Sequence, residues 1–174
     1  MKLFRKILRT GVITEPPPQP AADVEHLGMQ ISELIRERYR GSLAIRMVDA
    51  GSCNGCELEI HALNNPYYDL ERFGIHFVAS PRHADMLLVT GPVTRNMETA
   101  LKMTLDAVAE PKLAVAVGDC AACGGEFGVS YASLGAVSNV ISVNAVIRGC
   151  PPTPLNLLQG LLAVLGSHPS GSGR

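Results

Sequence analysis

Short, uninterrupted apolar runs alternate with helical patterns along this chain, and that alternation restricts its fold more than any other feature. The apolar runs occupy residues 43–48, 75–79, 86–89, 113–117 and 146–147. Apolar residues recur at helical spacing in residues 22–40, 56–64, 96–109 and 154–165. Strands that are apolar on both faces are typical of a parallel sheet covered by helices on both sides. We therefore predict a flavodoxin-like α/β fold, a three-layer sandwich with a mostly parallel sheet.

Three of the predicted strands end in a glycine-flanked loop that carries cysteine. Residues 51–56 read Gly-Ser-Cys-Asn-Gly-Cys, residues 118–120 read Gly-Asp-Cys, and residues 149–152 read Gly-Cys-Pro-Pro. Ligands of doubly wound sheets bind beyond the carboxyl ends of the strands. We therefore expect the three loops to form one site.

Four thiols in such a site match the usual ligand set of an iron–sulfur cluster. The spacing of Cys53 and Cys56 lets two thiolates reach one cluster from a single loop. Spacing alone leaves open whether Cys120 or Cys123 is the third ligand; Cys120 is favoured because it follows its strand as Cys53 does. Cys150 is the fourth thiol. The candidate cofactor-binding glycines, which allow tight turns and offer amide groups to sulfur, are Gly51, Gly55, Gly118 and Gly149.

Three other interpretations of these cysteines stay open on spacing alone. Cys53, Cys56, Cys120 and Cys123 could bind zinc as two Cys-x2-Cys pairs. The 63 residues between the pairs far exceed the roughly 15–20 that are typical of zinc ribbons, and Cys150 would have no role. Cys53 and Cys56 could instead be a redox dithiol. Buried free cysteines can also be simple apolar packing groups.

Composition excludes some classes of function and favours others. Hydrophobic residues make up 47% of the chain and charged residues 18%, which is apolar for a soluble domain and predicts surface buried against partners. The net charge of −1 does not favour nucleic acid as a partner. No apolar run reaches the roughly 18 residues of a membrane span, and the start lacks a signal-peptide pattern. We therefore expect a cytoplasmic protein, in which cysteines more often serve metal or redox chemistry than disulfides.

The chain divides into four predicted parts. Residues 1–20 form a basic N-terminal arm with a proline-rich linker, and residues 21–41 form a helix. Residues 42–166 form the cluster-binding α/β domain, and residues 167–174 form a disordered tail. The basic arm has amphipathic helical spacing, so it is either a frayed terminus or a docking arm for a partner or an anionic membrane.

Residues 51–60, Gly-Ser-Cys-Asn-Gly-Cys-Glu-Leu-Glu-Ile, resemble the opening motif of the small subunit of group 4 energy-converting nickel–iron hydrogenases. Formate hydrogenlyase and hydrogenase-4 are of this type. The remaining matches are residues 73–75, 80–85, 90–94, 118–120 and 149–154. The same superfamily includes the complex I 20 kDa subunit that carries cluster N2, which is similar through the Gly-Cys-Pro-Pro loop and the Pro-Arg-His segment. That subunit has two adjacent cysteines in its first loop, whereas this chain has the hydrogenase spacing.

The resemblance implies one 4Fe–4S cluster bound by Cys53, Cys56, Cys120 and Cys150, next to a nickel–iron centre on a separate large subunit. The expected function is electron transfer between a ferredoxin-like iron–sulfur subunit and that large subunit. Membrane-arm subunits would hold the complex peripherally on the cytoplasmic face of the membrane. Two alternatives are an N2-type subunit of a complex I-like quinone or ferredoxin oxidoreductase without nickel, and a non-catalytic zinc-binding scaffold.

Three further residues are candidates for the same site. Relatives carry a glutamate at the position of Glu59, so we predict a catalytic proton-transfer role for it; the alternative is a solvated helix carboxylate. Arg82 and His83 follow the second strand in a loop that we expect to face the cluster edge. His83 could then donate a hydrogen bond towards the cluster, and Arg82 could instead pair with Asp85. Structural roles are the alternative for both.

Overall fold

The computed structural model describes residues 2–11 and 21–167 of the 174-residue chain. The α-helices are α1 (Lys2–Thr10), α2 (Ala22–Arg38), α3 (Gly55–Ala62), α4 (Glu98–Ala107), α5 (Asp119–Cys123) and α6 (Pro154–Ser167). The strands are β1 (Leu43–Asp49), β2 (Ile75–Phe77), β3 (Met86–Thr90), β4 (Val93–Thr94), β5 (Leu113–Val117), β6 (Ser133–Gly135) and β7 (Ala145–Ile147). Short 3₁₀ helices lie at Leu70–Phe73, Pro81–His83 and Val137–Asn139.

Five strands form one parallel sheet in the order β2-β1-β3-β5-β7. Asp49 pairs with Thr90, Thr90 with Val117, and Val117 with Ile147, so four carboxyl ends lie at one edge. This is the strand order of a flavodoxin-like doubly wound fold. The predicted fold class is confirmed.

The sheet is apolar on both faces because a helical layer covers each face. On one side, Leu88 of β3 belongs to a core cluster that includes Ile31 of α2 and Leu161 of α6. On the other side, Leu87 lies in a second core cluster with Leu101 of α4. All five β3 residues are buried, as expected for the central strand of a sheet covered on both faces.

The largest differences from the predicted elements concern short segments. The second strand ends at Phe77 rather than at residue 79. Strands β4 and β6 form a two-stranded antiparallel pair that the apolar pattern did not predict, since two or three residues carry no measurable periodicity. The loop expected around Cys120 contains the five-residue helix α5.

The N-terminal arm contains a helix, α1, in which every described residue is exposed. The proline-rich linker and, apart from Ser167 at the end of α6, the predicted tail lie outside the described residues. None of the helices in ranges 2–11 and 21–167 combines the length and apolar character needed to cross a bilayer.

Candidate functional site

The cysteine loops lie at the carboxyl edge of the sheet, as their positions after strands predicted. Cys53 lies in the loop between β1 and α3, and Cys56 is in the first turn of α3. Cys120 is the second residue of α5, which begins two residues after the end of β5. Cys150 lies between β7 and α6. Cys53 and Cys150 are exposed, whereas Cys56 and Cys120 are partly buried.

Hydrogen bonds donated by backbone amides join the Cys120 loop to the segment of β7 and the loop that carries Cys150. The amide of Asp119 donates to the carbonyl of Gly149 at 2.8 Å, and the amide of Gly149 donates to Asp119 Oδ1 at 3.3 Å. The amide of Gly118 donates to the carbonyl of Ile147 at 2.8 Å. These three bonds fix the spacing between the loops that carry Cys120 and Cys150.

Glycines leave the space into which the thiols project. A Cβ atom at Gly118 would lie 2.5 Å from Cys56 Sγ, and one at Gly125 would lie 2.6 Å from Cys120 Sγ. A Cβ atom at Gly55 would contact both Cys53 Sγ, at 3.6 Å, and Pro151, at 3.9 Å. The first loop therefore contacts both the loop of Cys120 and the loop of Cys150.

A network of polar contacts holds the first cysteine loop. Asp49 Oδ1 accepts hydrogen bonds from the amides of Gly51, at 2.8 Å, and Ser52, at 2.7 Å. A Cβ atom at Gly91, which has a φ of +75°, would lie 2.5 Å from the backbone nitrogen of Ser52. Only glycine allows this close approach. The loop after β3, which carries no cysteine, therefore supports the loop that carries two.

Glu57, which directly follows Cys56, is the buried charged residue of the site. Its side chain is only 3% exposed. Oε1 accepts a hydrogen bond from Ser52 Oγ at 2.6 Å and another from Thr90 Oγ1, while the buried Oε2 has no hydrogen-bond partner among the residues that the structure describes. The sequence pattern alone does not single out Glu57; the polar Thr90 at the end of an apolar strand is the available signal.

Substitution of Thr90 by valine tests whether the hydroxyl supports the buried carboxylate. The change keeps the side-chain shape but removes a donor to Glu57, so we expect a loss of about 1–3 kcal/mol in the free energy of unfolding, measured by urea denaturation. Thr104→Val is the matched control, because the Thr104 hydroxyl donates to the Ala100 carbonyl on its own helix α4. Equal losses in the two variants would contradict the role of Thr90.

The thiols of Cys56 and Cys120 lie close enough to other predicted ligands for charge repulsion to raise their pKa values. The pKa of Cys56 is raised to about 12. Burial is the largest cause, followed by the charges of Glu57 and of the other three cysteines in the predicted set. Burial raises the pKa of Cys120, and Cys150 and Cys53 add to that rise. Thiolates in such a site need a cationic centre to offset their repulsion.

The donor set fits an iron–sulfur cluster. Within the described ranges, no group of three or more His, Cys, Asp or Glu residues is arranged to hold a single metal ion. Cluster ligands differ from such a group, because each thiolate binds a different iron atom around a shared core. The three loops supply four thiols, the number that such a core needs, and Gly55, Gly118 and Gly125 line the space beside three of them. Cys53, Cys56, Cys120 and Cys150 would hold it.

Comparison with known proteins identifies the family. The model of the family described as "NADH ubiquinone oxidoreductase, 20 Kd subunit" matches residues 53–164, from the first cysteine into α6. The chain belongs to this family. The match includes all four predicted ligands and the sheet edge that presents them, and it identifies the chain as an oxidoreductase subunit.

Curated relatives confirm the resemblance to hydrogenase small subunits within the 20 kDa subunit family. Formate hydrogenlyase subunit 7 of Escherichia coli is 40% identical over 86% of this chain, and the match spans 58% of that relative. A probable membrane-bound hydrogenase subunit of Pyrococcus furiosus is 43% identical over 68% of this chain and 71% of its own length. An uncharacterized protein of Methanocaldococcus jannaschii is 45% identical over 77% of this chain and 88% of its own length.

Solved structures agree with the fold of the 20 kDa subunit family. A chain of an archaeal membrane-bound sulfane sulfur reductase, a respiratory membrane complex, superposes with a TM-score of 0.64 at 31% identity. That match covers 79% of this chain and 74% of the other. A chain of an NAD⁺-reducing [NiFe]-hydrogenase superposes with a TM-score of 0.56 at 18% identity and covers 76% of this chain and 96% of the other. The second match supports the fold alone.

Glu59, Arg82 and His83 lie apart from the contacts that join the cysteine loops. Glu59 is half-buried on α3. Burial is the largest cause of the raised pKa of Tyr68, and Tyr67 and then Glu59 add to that rise. Arg82 and His83 are on the 3₁₀ helix that leads into the first residue of β3, with Arg82 and His83 both exposed. That position is at the amino end of the strand, opposite the cysteine edge, so the expected shared edge is not observed. The functional roles of all three residues stay predictions.

Proposed function

We propose that this chain is an electron-transfer subunit that holds one 4Fe–4S cluster through Cys53, Cys56, Cys120 and Cys150. The observation that carries the proposal is the convergence of three cysteine loops on glycine-lined space at one sheet edge. When bound there, a cluster supplies one-electron oxidation and reduction. The protein contributes ligands, orientation and electrostatics.

The chain's own residues would set the environment of that site. Gly118 and Gly125 admit the thiols of Cys56 and Cys120. Asp119 holds two ligand loops together, and Glu57 places a buried carboxylate beside Cys56. Glu57 is, after burial, the largest cause of the raised pKa of the Cys56 thiol.

An exposed apolar segment supports a partner surface beside the cysteines. Residues 124–132 follow Cys120 and carry Phe127, Val129 and Tyr131, which are 58%, 73% and 94% exposed. Cys53 and Cys150 are also exposed. Apolar surface of this kind marks interaction sites, and a covering subunit would exclude water from the cluster.

The proposed partners follow from the relatives' names and from the resemblance. A nickel–iron hydrogenase-type large subunit would cover the cysteine edge, and a ferredoxin-like iron–sulfur subunit would exchange electrons with this chain. Membrane-arm subunits would hold the assembly peripherally on the cytoplasmic face of the membrane. Formate hydrogenlyase and membrane-bound hydrogenase are the complexes named for two of the relatives.

Anaerobic purification of the full chain, followed by iron, sulfide and zinc analysis, tests the cluster proposal. We expect about four iron and four sulfide per chain, with an electron paramagnetic resonance signal on reduction. One zinc per chain without sulfide would overturn the proposal and support the zinc-binding scaffold.

A second candidate keeps the electron-transfer role but changes the reaction. The 31% identity to a chain of a sulfane sulfur reductase, which is not named as a hydrogenase, favours the alternative of a complex I-like quinone or ferredoxin oxidoreductase without nickel. Nickel analysis of the purified complex separates the two. About one nickel per complex supports the hydrogenase, and its absence from an active complex supports the alternative.

Glu59→Gln tests the proposed proton-transfer role of Glu59 in the assembled complex. If the carboxylate relays protons, its loss should lower hydrogen turnover about 100-fold or more without changing the cluster signal. Glu37→Gln, on the exposed surface of α2, is the matched control. Unchanged turnover and an unchanged pH profile in Glu59→Gln would remove Glu59 from the site.

A further inference from the structure

The N-terminal helix α1 exposes more apolar surface than a short soluble helix normally does. Leu3, Phe4, Ile7 and Leu8 are between 57% and 82% exposed, and no residue of α1 is buried. Four large apolar side chains within six residues form a contiguous patch, because residues three and four apart are neighbours on a helix surface. The patch contains none of the residues that make the contacts described for the cysteine site.

The charges of α1 are segregated from its apolar residues. At about 100° per residue, the four apolar side chains span an arc of about 140°, and the basic side chains span about 100° on the opposite side. The basic residues are Lys2, Arg5, Lys6 and Arg9, and the helix contains no acidic residue. A basic face opposite an aromatic and aliphatic face is the pattern of helices that lie in a membrane interface.

The net charge of α1 is positive, whereas the net charge of the rest of the chain is negative. The chain has 15 basic and 16 acidic residues. Four of the basic residues and none of the acidic ones are in α1, which leaves 11 against 16 elsewhere, a net charge of −5. An anionic surface therefore attracts α1 and repels the remainder on average.

The internal interactions of α1 do not explain its helical structure. Nine residues are too few for a stable isolated helix in water, and Lys2 opposes the macrodipole at the N-terminal end. The helix is closed at its other end, where the Gly11 amide donates to the Ile7 carbonyl at 3.0 Å and Thr10 Oγ1 donates to the Lys6 carbonyl at 2.8 Å. An apolar–polar boundary would supply the missing stabilisation.

We propose that α1 lies flat on an anionic lipid bilayer, with Leu3, Phe4, Ile7 and Leu8 in the acyl boundary and its basic face among the headgroups. The charge pattern favours lipid over a protein groove, because all four cations share one face and no anion specifies a partner. This proposal rests on the proposed peripheral location and adds that α1 is the segment that contacts the membrane. It does not depend on the cluster. Binding should weaken with salt, since exposed charges are screened.

Phe4→Trp in the full chain provides a direct probe, because the chain contains no other tryptophan. The probe surfaces are vesicles of phosphatidylcholine alone and of phosphatidylcholine with 30% phosphatidylglycerol, where the percentage is roughly that of an anionic leaflet. We expect a blue shift of the emission on the mixed vesicles, reversed by about 0.5 M salt. Arg5→Gln with Lys6→Gln, combined with Phe4→Trp in one chain, should weaken binding about tenfold or more.

Met103→Trp is the matched control, because Met103 is 67% exposed on α4 of the folded domain. Its emission should not change with either vesicle. No shift for Phe4→Trp on mixed vesicles, or an equal shift on neutral ones, would overturn the proposal. Strong protection of the α1 amides from hydrogen exchange in a lipid-free assembled complex would overturn it in favour of a protein partner. Iron and sulfide measured on the same samples report separately on the cluster.

Discussion

Replacing Cys56 with alanine should abolish cluster binding, lowering iron from about four per chain to near zero. Cys56 is the central thiol of the site: its Sγ lies against Gly118, and all three other predicted ligands raise its pKa. Its loss removes the ligand beside the loop that carries Cys120, and no other cysteine lies on α3 to replace it. Iron and sulfide analysis with electron paramagnetic resonance of the reduced protein would measure the effect.

Cys123→Ala is the internal control for this substitution. Cys123 is exposed, and its Sγ donates to the Asp119 carbonyl at 3.2 Å within α5. We expect this variant to keep its iron and its spectrum. The reverse pattern, in which Cys123→Ala loses the metal while Cys150→Ala keeps it, would favour two Cys-x2-Cys pairs and a zinc site.

The sheet could be predicted because its strands are buried on both faces. Runs such as residues 113–117 contain no polar residue, and only a covered central strand accommodates them. The β4–β6 pair could not be predicted in this way. Its strands have two and three residues, and the antiparallel pairing of Val93 with Gly135 joins segments about 40 residues apart. Tertiary contact rather than local pattern specifies that pair.

The position of the cysteine loops at one sheet edge was predictable because the loops follow strands directly, and the topology of the fold then places them together. The residues that hold the loops were not predictable, because their contacts depend on tertiary structure. Glu57 and Thr90 are 33 residues apart in sequence, and Asp119 and Gly149 are 30 apart. Nothing local distinguishes Glu57, which is buried, from Glu59, which is half-buried on the same helix.

The expected position of Arg82 and His83 was wrong for a reason that lies in strand β2. That strand ends at Phe77, which pairs with Ile45 near the start of β1. The chain then passes into β3 at Met86, which also pairs with Ile45. The segment between Phe77 and Met86 therefore begins and ends near the amino side of the sheet. A residue that directly follows a strand in the sequence lies at the cysteine edge only when that strand extends to this edge of the sheet.

Gly118→Ala should prevent cluster binding while every cysteine is retained. Gly118 has a φ of +88°, and the added Cβ would lie 2.5 Å from Cys56 Sγ, well inside contact distance. The strained backbone costs about 1–3 kcal/mol, and the methyl group occupies the space of a ligand. We expect near-complete loss of iron with a far-ultraviolet circular dichroism spectrum close to that of the unmodified chain.

Gly166→Ala separates this local effect from a general intolerance of alanine. Gly166 lies near the end of α6, and a Cβ atom there would meet nothing within 4 Å. Alanine is favoured over glycine in helices by up to about 1 kcal/mol, so stability should stay equal or rise slightly, with iron unchanged. Retention of four irons in Gly118→Ala would mean that the Cys56 thiol does not need this space. The cluster would then lie on another side of the α3 terminus, and the proposed convergence of the three loops would fail. If Gly118→Ala lost iron and Gly166→Ala did not, the space beside Gly118 would be established as part of the site.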